Sequence, residues 1–151
     1  MIKDKPKVQT LLETVFSNAV DKLLKDDTGR LTGAFFIQLD LAAGEIAVYD
    51  ENEVLLEKNI IFEWAELYEK NPRLSRQAVH FIRVAIQALK TRRVFDAPVF
   101  MFPFRVLIVD DNFNEIETVF AIEETEEPSE GRLMKNLEQE LKIFSKKIFD
   151  N

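Results

Sequence analysis

Few residues in this chain could perform chemistry on their own. His80 is the sole histidine, and there is no cysteine. The chain therefore has no thiolate nucleophile, no disulfide framework and no cysteine-based zinc or iron–sulfur site. His80 stands between Val79 and Phe81 with no HxxxH or HExxH partner, and no G-x-S-x-G elbow offers it a serine to activate. It reads as a packed or half-exposed structural histidine. The 4 glycines are scattered and form neither GxGxxG nor GxxxxGK[ST], so no phosphate-binding loop is present.

Carboxylates are the remaining route to catalysis. Several fall in pairs beside Asn, Thr or Gly, as in Asp26-Asp27, Asp50-Glu51 and Asp110-Asp111. That is the pattern of turns, where Asp and Asn side chains bond the nearby backbone. Asp40 differs, since it lies late in an apolar strand, and with Asp110 it is the best that a small carboxylate-dependent enzyme could use. Asp110, Asn112 and Asn114 match the first three ligand positions of a calcium loop. Glu115 then stands where that loop needs glycine, and Ala121 where it needs a bidentate glutamate. No metal site and no cofactor is expected.

Charge is distributed in blocks. Between Asp40 and Glu69 there are nine acidic residues against Lys58 alone; between Lys70 and Phe95 there are seven basic residues and no acidic one; between Asp110 and Glu130 there are nine acidic residues and no basic one. Within the basic block, Arg76, His80, Arg83, Gln87 and Lys90 recur at spacings of 4, 3, 4 and 3, which places them on an arc of about 80° on a helix. This stripe has two readings. One is the solvent edge of a buried helix, with Arg and Lys stems lying along apolar surface and Lys90 complementing the helix C-terminal dipole. The other is a groove for an anionic partner, for which Arg76, His80, Arg83 and Lys90 are the candidates.

The elements that must position these residues are legible from periodicity. Val8, Leu11, Leu12, Val15, Phe16, Ala19, Val20, Leu23 and Leu24 form one apolar stripe and predict a helix over 7–25, closed near Gly29. Phe35, Ile37, Leu39 and Leu41 alternate with Ala34, Phe36, Gln38 and Asp40 as a strand. A turn at 42–45 returns the chain through 46–49, and 54–56 with 60–61 follow as a third short strand. A short helix over 62–69 ends at Asn71-Pro72, and Ser75 is the expected N-cap of a long helix running to about Arg93. Val94 to Val109 is apolar and contains Pro98 and Pro103, so it reads as two strands or one strand with an edge or bulge. Ile116 to Ile122 pairs back, and a last helix over 128–148 carries Leu133, Met134, Leu137, Leu141, Phe144 and Ile148 within about a 100° arc.

The order α-ββ(β)-α-ββ-α implies an α+β domain: an antiparallel sheet of four to five strands with helices packed on it, formed by the whole chain 1–151 as one unit. In element order this resembles the roadblock-type small dimeric domains and the class I type III secretion chaperones, the latter also small and acidic. Neither family's signature residues are present, so the likeness is one of architecture.

With a length of 151 residues, 46% apolar composition and a net charge of −7, the chain reads as a globular acidic protein. Phosphate backbones are repelled by such a surface, so nucleic acid is disfavoured as a partner and would depend on the basic stripe. No apolar run approaches the roughly 20 residues of a membrane span. The N-terminal segment is no secretory h-region, and a cytoplasmic location is expected. Phe100, Phe102 and Phe104 share one side of a strand whose other side carries Met101 and Leu107, so both faces need cover. The reading reached is a non-enzymatic, homodimeric adaptor or chaperone-like module that binds another protein, with those three phenylalanines as dimer-interface candidates. The alternatives are the carboxylate enzyme and an anion- or nucleic-acid-binding module.

Overall fold

In the computed structural model of the chain, residues 5–26 and 29–123 are described. The order is α1 (Lys5–Lys25), β1 (Thr32–Asp40), β2 (Glu45–Tyr49), β3 (Leu55–Ile60), α2 (Phe62–Leu67), α3 (Leu74–Thr91), a 3-10 turn at Val94–Asp96, β4 (Phe100–Val109) and β5 (Glu115–Ile122). The helix expected over 128–148 lies outside the described residues.

The five strands form one sheet in the order β3-β2-β1-β4-β5. Neighbouring strands are antiparallel except at the centre, where β1 and β4 run parallel, with Phe35 opposite Val106 and Ile37 opposite Ile108. That central pair departs from the all-antiparallel sheet read from the sequence. A parallel pair needs a long crossover, and here β2, β3, α2 and α3 together supply it. Sequence periodicity reveals which face a side chain takes but not the direction of its neighbour.

One face of the sheet carries the core. Val8, Leu12, Val15, Phe16, Ala19, Val20 and Leu23 of α1 pack with Ala78, Ile82, Ala85, Ile86 and Leu89 of α3 over Phe35, Ile37, Ile46, Val48, Val106 and Ile108. Fully burying such aliphatic or aromatic side chains contributes about 1.5–3 kcal/mol each, which is why the apolar stripe of α1 fixes its orientation. Trp64 brings α2 onto the same core, with an indole N–H that finds no acceptor among the described residues. The β1–β2 turn depends on Gly44, whose φ is +71°. A Cβ there would stand 2.5 Å from the Ile61 carbonyl oxygen.

The aromatic run of β4 resolves into one strand with a bulge. Thr32 pairs with Phe100 and Ala34 with Arg105, so β4 gains extra residues around Pro103 just where a proline cannot donate to a ladder. Phe100 and Phe104 turn into the helix-covered core, where Phe35, Phe95, Phe100 and Phe104 meet at ring-centroid distances of 5.0–6.3 Å. Phe102 is half-buried against the same core. Of the three phenylalanines named as interface candidates, Phe100 and Phe104 thus lie in the chain's own core, while Phe102 stays partly exposed.

Opposite the helices lies a second, smaller apolar cluster. Ala34, Leu107 and Val109 are buried there, with Phe36 and Phe113 packed against them.

Candidate functional site

The basic stripe divides in two. Arg76, His80 and Arg83 line a groove of about 730 Å³ together with Pro72, Arg73, Ser75, Val79 and Glu117. Gln87 and Lys90 lie further along α3 and do not line it. Lys90 sits half-buried in the last turn of α3, where a cation complements the negative end of the helix dipole.

The other end of α3 reverses that logic. Helix N-termini carry partial positive charge and favour acidic side chains, yet the first turn of α3 has none. Arg73 occupies the N-cap and Arg76 the third helical position. Ser75, expected as the cap, falls inside the helix, and no side chain caps it. The turn is organised from before the helix instead. Asn71 is buried, its Oδ1 accepts the Arg73 backbone N–H at 2.9 Å, and its Nδ2 donates to Gln77 Oε1 at 2.8 Å. Arg73 and Arg76 are exposed and have no acidic partner among the described residues.

Arg83 is held differently. Its Nε donates to the Val119 carbonyl at 2.9 Å, and an Nη lies 3.9 Å from Glu117. Val119 is the extra residue of a bulge in β5, since Phe120 faces Val106 and Thr118 faces Leu107. Arg83 therefore satisfies a carbonyl that the bulge leaves off the ladder, and it anchors the groove wall to β5. Its ion pair with Glu117 is about half exposed on both sides and contributes little. His80 is exposed, its ring 5.9 Å from that of Phe81. Among the described residues no hydrogen bond orients it as a base, and Arg76 and Arg83 flank it on its own helix face.

The carboxylates behave as turn formers. Because β1 and β4 are parallel, Asp40 and Asp110 come to the same end of neighbouring strands, a juxtaposition invisible in the sequence. Each is occupied, however. Asp40 Oδ1 accepts the Ala43 backbone N–H at 3.2 Å, and Asp110 Oδ1 accepts those of Asn112 at 2.8 Å and Asn114 at 2.9 Å. These bonds, the Asn114 backbone N–H foremost, hold the Asp110 carboxyl below its ordinary pKa. The oxygens that a calcium ion would need are turned onto backbone N–H groups. Among the described residues no three His, Asp or Glu side chains gather in a way that could hold a metal, and no helix is long and apolar enough to cross a membrane.

A second hollow, of about 260 Å³, lies between the end of α1 and β3, lined by Lys22, Leu23, Lys25, Asp26, Arg30, Val54 and Leu56. Arg30 donates to Asp26 across its rim at 2.9 Å, which raises the pKa of the guanidinium.

No protein-family model, curated protein or solved structure matches this chain.

Proposed function

We propose that the chain is a non-catalytic interaction module that docks an acidic segment of another protein in the groove along the N-terminal half of α3. The observation that carries this reading is the placement of Arg73 and Arg76 at the positive end of the helix, in a concave surface where Glu117 is the one carboxylate among the described residues. Like charge at a helix terminus is locally unfavourable by about 0.3–1 kcal/mol, so a merely solvated edge gains nothing from it. A carboxylate-bearing ligand reverses the sign of that term. The use of Asp40 and Asp110 in turns supports binding over catalysis. The net charge of −7 and Glu117 inside the groove favour a peptide over a nucleic acid.

Self-association is a separate part of the proposal. With Phe100 and Phe104 inside the core, contact between two copies would have to use other side chains.

The test is titration of a synthetic octapeptide of alternating Glu and Val, with its Lys counterpart as control. Arg76→Glu should abolish binding of the acidic peptide while raising thermal stability slightly. Equal binding of both peptides, or unchanged affinity in Arg76→Glu, overturns the reading. Loss of stability on removing the Arg76 charge would show that the arginine is there for the fold.

A further inference from the structure

The element that precedes the groove carries the opposite charge. From Phe62 to Glu69 there are three acidic residues and no basic one. Glu63 is partly buried and lies 3.6 Å from Lys7. Glu66 and Glu69 are exposed and make no ion pair among the described residues. Tyr68 keeps right-handed helical angles, and the Asn71 N–H donates to the Leu67 carbonyl at 2.8 Å, so the helical phase of α2 runs on through Glu69. At about 100° per residue, Phe62, Glu66 and Glu69 then share an arc of about 60°. Trp64 is fully buried on the other side of α2 and so turns that arc outward. Phe62 is 71% exposed, more than any other large apolar side chain described. An aromatic ring of that kind is the usual anchor of an interface.

The acidic row and the groove match in charge and in step. Arg73, Arg76 and Val79 follow one another at three-residue intervals along the groove, and Phe62, Glu66 and Glu69 follow at four and three. At about 1.5 Å per helical residue the two rows are about 9 and 10 Å long. Laid antiparallel, they set Phe62 against Val79, Glu66 beside Arg76 and Glu69 beside Arg73. A ring then meets the apolar part of the groove while each carboxylate meets a guanidinium, and such complementarity fixes the register between partners. Glu117 stands by Arg83, further along the groove, and leaves Arg73 and Arg76 to a ligand. Within one chain the two rows do not meet. Trp64 holds α2 on the core as Ala78 and Ile82 hold α3, and both charged rows are on the exposed sides.

We infer that, when no other protein fills the groove, its occupant is α2 of a second copy of this chain. The inference rests on the docking reading above and names the side chains through which two copies meet. The acidic row and the first turn of α3 are neighbours in the chain, so one two-fold axis brings both pairs together and closes the assembly at two. An acidic segment of another protein then has to displace the second copy in order to bind.

Sedimentation velocity on the full chain tests this. The wild type should dimerise at micromolar concentration, with a dissociation constant that rises about tenfold between about 0.05 and about 0.5 M salt. Glu66→Lys with Glu69→Lys should be monomeric, and so should Arg73→Glu with Arg76→Glu. Mixed in equal amounts, the two variants should dimerise again, because the reversed row of one meets the reversed groove of the other. A monomeric wild type overturns the inference, as does a dimer that survives either reversal or ignores salt, or a mixture that stays monomeric. All four sites are exposed, so the circular dichroism of both variants should match the wild type; if one of them unfolds, the salt series on the wild type decides. The acidic octapeptide keeps the two readings apart. The Glu66→Lys, Glu69→Lys chain has an open groove and should bind that peptide more tightly than the wild type does. A monomeric wild type that still binds it loses only the dimer, whereas a chain that neither dimerises nor binds it loses the docking reading as well.

Discussion

Two hairpin turns in this domain have the same geometry and different surroundings. In the β2–β3 turn, Asp50 Oδ1 accepts the backbone N–H groups of Asn52 at 2.8 Å and Val54 at 3.0 Å. The Asp50 N–H donates to the Val54 carbonyl, and the Glu53 N–H to that of Asp50. In the β4–β5 turn Asp110 repeats every one of these bonds, with Asn112, Phe113 and Asn114 in the same places. Glu53 and Phe113 occupy the left-handed region, at φ of 65° and 64°. The short code D-x-N therefore dictates a turn twice over. Its setting decides what the turn is worth. Asp50 is 2% exposed, lies 3.9 Å from Arg30, and is followed by Glu51, which binds the Gly33 N–H and donates its own N–H to Thr32. Asp110 is only partly buried, and its turn contributes a ring instead: Phe113 stands 4.9 Å from Tyr49 and 6.2 Å from Phe36, over the outer face.

The largest expected difference follows from burial. Asp50→Ala removes a buried carboxylate and leaves the Asn52 and Val54 N–H groups without their acceptor, and should cost about 2–3 kcal/mol in urea denaturation. Asp110→Ala in the same assay should cost clearly less, because water replaces the lost carboxylate. Equal losses would mean that burial does not distinguish the turns.

The left-handed positions sharpen the contrast. Glu53→Gly relieves backbone strain at a surface site and should raise stability by about 0.5–1 kcal/mol. Phe113→Gly relieves the same strain but deletes two aromatic contacts and cover over Leu107 and Val109, for a net loss of about 1–2 kcal/mol. Calorimetric melting temperatures moving in opposite directions are the expected outcome, and parallel shifts would remove the role assigned to the Phe113 ring.

The smallest effect concerns pH. Because the folded-state pKa of Asp110 is lowered, its contribution is fully present above the ordinary carboxylate pKa of about 3.9 and is lost as pH falls through the lower folded value. Asp110→Asn keeps an acceptor oxygen and should flatten that part of the acid limb of stability. An unchanged acid limb would place the titration elsewhere.

Sequence reading went furthest where the cause is local. The stripe of α1 gave its extent within two residues, and Asn71-Pro72 separated the two helices that follow. The turn residues Asp50 and Asp110 were legible for the same reason. The convergence of Arg76, His80 and Arg83 could be read as one helix face, because 3.6-residue periodicity alone produces it. Arg73 was missed. It lies before the helix, and its place in the groove depends on Asn71 holding the cap. Glu117 and the anchoring of Arg83 to the Val119 carbonyl were hidden too, since they require β5 to lie beneath α3. The parallel β1–β4 pair was equally out of reach. Hydrophobic alternation is the same whichever way the partner strand runs.

That central pair also orders the events of synthesis. Each hairpin joins residues close in the chain, but β1 must wait for β4, with Phe35 and Val106 seventy-one positions apart in the register. Closing so long a loop is a slow step compared with forming either hairpin. During translation the β1–β2–β3 meander emerges first, with the inner edge of β1 open until residues 100–109 clear the ribosome. Through that interval the strand that ends as the middle of the sheet is an unpaired edge, and the nascent chain is most exposed to wrong pairing there.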